Sequence, residues 1–232
     1  MGGIVTQTFR DLMDYAIIFD MDGVIIDSNP YHKIAWDRFL TKRGIHFDDD
    51  LFDNTLSGRT GISSIRLLMG QELTLEVVNK YVHEIDKEFL KILGQDNNVG
   101  PIPGLPGFLK NIKSSGTKTA LATSAPPENV DLTLEKTGLR SYFDMILDKN
   151  DVTNGKPDPE VYLKTVMKLN AQKKDCIVFE DSKMGIKSAL NAGLRVIGVS
   201  TSHNREELLE EGVSMVIDDF TALDPEDVFS LL

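Results

Sequence analysis

Four acids fall in two short clusters that could do chemistry: Asp20-Met21-Asp22-Gly23 and Glu180-Asp181-Ser182. Each follows an apolar run that reads as a buried strand. Thr123-Ser124 follows a third such run, and Lys156 sits in a loop, Asn154-Gly155-Lys156-Pro157, ahead of a helical pattern. Each has an ordinary explanation when taken alone. Asp-x-Asp-Gly is a good turn, since Asp and Gly favour one, and Glu180-Asp181 before Ser182 could simply cap a helix. Taken together they ask for more. Acids gathered at neighbouring strand ends repel one another unless a cation or a proton relieves them. One lysine and one hydroxyl at the same rim supply what a phosphoryl group needs.

Placing these residues together requires a particular scaffold. Apolar runs at 16–19, 119–122, 145–147, 177–179, 196–199 and 215–217 lack polar alternation. That pattern belongs to parallel strands covered on both faces. Helical patterns lie between the later runs, with good punctuation. Residues 106–115 end at Gly116 and residues 128–137 at Gly138. Residues 158–169 open with Pro159, and 182–192 run from a capping Ser182 to Gly193. Strand alternating with helix predicts an α/β fold, a doubly wound, mostly parallel sheet. Ligands of such sheets bind beyond the carboxyl ends of the strands, where the acids, the hydroxyl and the lysine fall.

The stretch from 30 to 99 breaks this rhythm. It holds only helix-like segments, at 30–43, 61–68 and 75–93, before a Gly/Pro-rich re-entry loop at 100–107. The expected organisation is a core of residues 1–29 and 100–232, with a helical cap of residues 30–99 inserted after the first strand. Trp36 falls among apolar neighbours at helical spacing and is expected in the cap core.

Composition narrows the function. A net charge of −11 over 232 residues disfavours nucleic acid as a partner, and no apolar run approaches the ~18 residues of a membrane span. The single cysteine, Cys176, excludes an intrachain disulfide and reads as a small buried hydrophobe. Residues 1–6 fit a loose myristoylation pattern, read as a chance match, and no secretory signal is visible. A cytoplasmic monomer is the expectation.

In order and spacing, Asp20-Met21-Asp22-Gly23-Val24, Thr123 after a strand, Gly155-Lys156-Pro157 and Glu180-Asp181-Ser182 resemble the four motifs of the haloacid dehalogenase superfamily. The helical insertion after the first motif is similar to the cap of its β-phosphoglucomutase-like branch. Asp27-Ser28-Asn29-Pro30-Tyr31-His32 and Gly58-Arg59-Thr60 resemble that branch's hinge and cap-loop segments. The resemblance implies that Asp20 attacks phosphorus and that Asp22 serves as acid and base. It implies Mg²⁺ held by Asp20, the backbone carbonyl of Asp22 and Asp181, with Glu180 acting through water or from behind. Lys156 would pin the nucleophile, and Thr123 and Ser124 would hold phosphoryl oxygens. His32 and Arg59 would reach the substrate from the cap.

Superfamily members that cleave carbon–halogen bonds have no aspartate in the second motif position, so Asp22 favours phosphate chemistry. A phosphatase for a small sugar phosphate is expected, with a β-phosphoglucomutase as the alternative. Mutases carry a cap lysine near the place where this chain has Ile85, and Lys80 and Lys87 would point elsewhere on a helix. Related pyrophosphatases carry a glutamate where this chain has Ser57. A receiver module is excluded by length, by the strand bearing the acceptor acid, and by the insertion.

Overall fold

The structure, a computed structural model, describes residues 15–57 and 59–232. Residues 1–6, with their acylation-like pattern, and Gly58 of the cap-loop segment lie outside the described residues.

Six strands form one parallel sheet: β1 (Ala16–Phe19), β2 (Lys118–Ala122), β3 (Met145–Leu147), β4 (Cys176–Glu180), β5 (Arg195–Val199) and β6 (Met215–Ile217). Their spatial order is β3-β2-β1-β4-β5-β6, so the first strand lies at the centre and the winding reverses beside it. Side chains alternate between two buried faces, as the unbroken apolar runs require. Ile17 and Phe19 enter one core cluster with Phe108, Phe179 and Phe220. Ala16 and Ile18 enter the other with Val178 and Tyr162. The Phe19 and Phe179 rings stack at 5.1 Å, an aromatic pair worth about 1 kcal/mol beyond its buried area.

Helices α1 (Asn29–Thr41), α2 (Gly61–Met69) and α3 (Leu75–Gln95) follow β1. Side-chain caps from Thr60 and Thr74 start the second and third. Trp36, Phe39, Ile65, Val82, Ile85 and Phe89 pack in an apolar cluster distinct from the two beside the sheet. A short turn, Asp49–Leu51, widens into π-type turns over Phe52–Leu56, a segment with no helical expectation from sequence. The chain leaves and re-enters the sheet layer at adjacent points, where Ile102 N–H donates to Ile25 C=O at 2.9 Å.

Helices α4 (Leu105–Ser114), α5 (Pro127–Thr137), α6 (Glu160–Lys168) and α7 (Lys183–Asn191) connect the remaining strands, followed by the short α8 (Arg205–Glu210) and α9 (Pro225–Phe229). The predicted α6 began two residues early, because Pro159 stands just before the helix and not inside it.

Candidate active site

Register brings the motifs together. Phe19 pairs with Leu121 on one side and with Phe179 on the other, so Asp20 emerges beside Ala122 and Glu180. Its N–H donates to Phe179 C=O at 3.0 Å. Residues distant in sequence thus meet because three neighbouring strands end at one level.

Lys156 is buried between two acids, with Nζ 2.7 Å from Asp20 Oδ1 and 2.5 Å from Glu180 Oε1. Burial alone would strip its proton, but the charges of Asp20 and Glu180 more than reverse this and hold the ammonium well above its usual range. Glu180 is saturated. Beyond Lys156, Tyr162 O–H donates to it at 2.6 Å, as do the Asp181 and Ser182 amides and the Ser182 hydroxyl. A side chain at Gly185 would enter this carboxylate, since a Cβ there would stand 1.8 Å from Glu180 Oε1.

Oxygens of Asp20, Glu180 and Asp181 lie within 4.8 Å of one another, all buried. Burial, then the neighbouring Glu180 and Asp22 charges, push the Asp20 carboxyl up to about 7, against the pull of Lys156. Burial, Glu180 and Asp20 push Asp181 well up too, and the bond from Ser202 only partly offsets this. Ser202 in turn accepts from Asn29 Nδ2 at 2.6 Å. The turn after β1 is shaped for this crowding. Gly23, at φ +74°, would place a Cβ 1.9 Å from Asp181 Oδ2, so only glycine lets the carboxylate come so close. Three oxygen donors against one ammonium suit a hard divalent cation. With Glu180 already engaged, Asp20 and Asp181 are the carboxylates with capacity to spare.

The Asp22 carboxylate stands outside that group. Ser28 Oγ donates to its Oδ1 at 2.5 Å, and His32 Nε2 lies 3.3 Å from the same atom. Burial works to raise its proton affinity, but the bonds from His32 and Ser28 outweigh burial and hold it below the usual carboxylate range. Phe89 fixes the imidazole, stacked at 4.1 Å with rings 12° apart.

Asp20, Asp22, Asp181 and Lys156 open onto a cavity of about 130 Å³. Thr123 and Ser124 form part of its edge, where Thr123 Oγ1 accepts from the Ala125 amide at 3.1 Å. Helices α1 to α3 supply the facing wall, with His32, Trp36 and Ile85, and exposed Arg59 on its rim. Lys80 and Lys87 are exposed and do not line the cavity. Asp20, Asp22, Thr123, Ser124, Lys156, Asp181, His32 and Arg59 therefore line one cavity, with Glu180 directly beneath it. Ser28, Tyr162 and Ser202 were missed, as serines and tyrosines in ordinary helical or loop contexts carry no signal. Asp86, also missed, did carry one: it falls on the apolar stripe of α3, four residues after Val82 and three before Phe89. Cys176 is buried as expected.

Residues 17–199 match the family model described as haloacid dehalogenase-like hydrolase. The chain belongs to this family. Its affinities lie with the β-phosphoglucomutase-like branch. It is 35% identical to the phosphorylated carbohydrates phosphatase of Thermotoga maritima over 221 residues, covering 94% of this chain and 97% of the relative. It is 29% identical to the β-phosphoglucomutase of Bacillus subtilis, over 79% of this chain and 82% of that one. The crystal structure of a haloacid dehalogenase-type hydrolase, family IA, variant 3, from Entamoeba histolytica superposes with a TM-score of 0.85 at 30% identity. It covers 94% of this chain and 98% of the other. The protein is thus an enzyme of the family's phosphatase and phosphotransferase kind. Among the described residues no helix is long and apolar enough to cross a membrane.

Proposed function

We propose that this protein is a Mg²⁺-dependent phosphatase that hydrolyses a small sugar phosphate through an aspartyl-phosphate on Asp20. The observation that carries this reading is the contact of Lys156 with Asp20 beside two further acids at the floor of a small cavity. The likeness to a phosphorylated carbohydrates phosphatase supports it. The cavity, at about 130 Å³, is comparable with the ~150 Å³ void that admits benzene, which suits a small organic group.

A carboxylate oxygen of Asp20 attacks phosphorus as the bond to the leaving oxygen breaks, and Asp22 delivers a proton to that oxygen. Water then attacks phosphorus, Asp22 takes its proton, and the bond to Asp20 breaks to release phosphate. The hydrogen bonds from His32 and Ser28 hold Asp22 as the carboxylate, ready for the second step. An anionic ester brought beside it raises its proton affinity, and His32 can pass it the proton the first step consumes. Lys156 keeps Asp20 aimed, and Thr123 and Ser124 hold phosphoryl oxygens. Asp20, Asp181 and the Asp22 carbonyl would hold the Mg²⁺, with Glu180 fixing Lys156 and the turn behind them. The ion supplies positive charge against the phosphoryl oxygens.

Residues 30–99 act in this reading as a cap that excludes water, bringing Arg59 and His32 over the ester. A cytoplasmic monomer with no nucleic-acid partner, in keeping with the net charge of −11, completes it. Ile85 on the cavity wall favours hydrolysis over the mutase reaction, since an apolar side chain cannot hold the second end of a sugar bisphosphate. Ser57 on the same wall disfavours pyrophosphate.

The test is a screen of phosphorylated metabolites read by released phosphate. Beside it runs a coupled assay with β-glucose 1-phosphate and a trace of glucose 1,6-bisphosphate. Phosphate release should outrun glucose 6-phosphate formation at least tenfold, about 1.4 kcal/mol between competing barriers. Faster glucose 6-phosphate formation would make the enzyme a mutase.

A further inference from the structure

Two side chains that line the cavity carry acceptor oxygens with no hydrogen-bond donor among the described residues. Asp86 projects from α3 between Val82 and Phe89, on the stripe that is otherwise apolar. It is half-buried, yet carries no hydrogen bond or ion pair to any described residue. Burial pushes its carboxyl up, Lys149, His32 and His83 pull it back, and Glu128 adds repulsion. Asn129 lies in the first turn of α5, 1% exposed, with its Oδ1 shut away from solvent and unpartnered. Thr133 Oγ1, the other such atom among the described residues, is off the cavity.

Burying an acceptor without a donor is unfavourable, and native structures contain few such groups. Here one such acceptor, on Asn129, and one half-buried carboxylate left to water, that of Asp86, come from different helices and share one cavity with Asp20. A packing role would favour an apolar residue at either place. What both lack is a donor, and a ligand rich in hydroxyls supplies donors.

We propose that Asp86 and Asn129 read the organic half of the substrate, Asp86 by accepting a hydrogen bond from one of its hydroxyls and Asn129 by turning its carboxamide to meet another, so that the enzyme selects polyhydroxylated monoesters over hydroxyl-poor ones. This assignment rests on the phosphomonoester reading above and makes both residues determinants of specificity. Neither takes part in the bond exchange at phosphorus.

The experiment measures affinity apart from turnover. Glucose 6-phosphate, fructose 1-phosphate, phenyl phosphate and inorganic phosphate are titrated by calorimetry into the Asp20→Asn protein with Mg²⁺ present. Asp86→Ala and Asn129→Leu are then each added to that background. At least one sugar phosphate should bind about tenfold tighter than phenyl phosphate, and each added substitution should remove most of that advantage. In the otherwise native enzyme, the kcat/KM ratio of sugar phosphate to phenyl phosphate should fall by the same factor. Thermal unfolding of Asp86→Ala should match the parent, and Asn129→Leu should melt no lower than it, because neither loses a protein partner. Equal losses for both ester types, or sugar phosphates binding no tighter than inorganic phosphate, would overturn the assignment. Should the affinities follow the expected pattern while the native enzyme releases phosphate from none of these esters, the hydrolytic reading falls and the specificity assignment stands.

Discussion

Glu180 and Asp86 are both acids drawn partly or wholly out of bulk water, one beneath the cavity floor and one on its wall. Glu180 accepts from five donors, on α6, on the loop before it and on the turn after β4. Asp86 accepts from none among the described residues. A saturated carboxylate fixes its neighbours, since any movement leaves buried donors unpaired. An unsaturated one holds interaction free energy in reserve for a molecule that has yet to arrive. The floor is therefore finished by the protein, and the wall is finished by the ligand. The same division separates what must be common to phosphoryl transfer, a matter of positioning and charge, from what distinguishes one ester from another.

The comparison breaks first at the nucleophile. Asp20→Asn should lower turnover by at least about a thousandfold, since an amide does not attack phosphorus. Phosphate release measured on folded variant checks this, and activity within tenfold of the parent would remove Asp20 from its role. The next test sets the two acids side by side. Glu180→Ala leaves Tyr162 and Ser182 donors unpaired and Lys156 with Asp20 alone, and should cost about 3–5 kcal/mol. Asp86→Ala should stay within about 0.5 kcal/mol. Urea unfolding of both variants measures the difference, and equal costs would erase the distinction between floor and wall.

The last test concerns pH. Asp20 is raised to about 7 and Asp181 is raised as well, chiefly by burial. The folded protein then holds protons that the unfolded chain has released. Chelator-treated protein should lose stability as pH rises from about 4 through 7. Mg²⁺ needs the carboxylates ionised, so its affinity should rise over the same window, by up to about tenfold per pH unit for each proton displaced, and flatten above it. Calorimetric Mg²⁺ titrations at several pH values check the sign, and tighter binding at lower pH would contradict it.

The floor was legible in the sequence, and the wall only in part, at His32, Arg59 and Ile85. Parallel strands buried on both faces leave unbroken apolar runs, so their carboxyl ends, and the acids there, could be placed by eye. Hydroxyl–carboxylate pairing leaves no such trace. Ser28 lies six residues from Asp22, and Tyr162 and Ser202 reach their acids only through the tertiary fold. Asp86 was hidden among the charges of α3, whose Glu84, Lys87 and Glu88 look outward like any solvated face. Its place on the apolar stripe was the one available sign. The short helices α8 and α9 have too few turns for periodicity to register, and Asp49–Leu51 with the π-type turns after it fits no 3.6-residue repeat.

The central position of β1 also governs how the protein comes into being on the ribosome. Its neighbours β2 and β4 lie about a hundred and about a hundred and sixty residues further along the chain. During synthesis β1 emerges first and waits, apolar on both faces, while the helical layer that follows it can already close on local contacts. Not until β4 leaves the exit tunnel can Glu180 meet Lys156, and with it the acid cluster form. A chain released before that point would display its stickiest strand with at most β2 beside it. Premature termination ahead of β4 should thus yield aggregates and chaperone clients, not weakened enzymes.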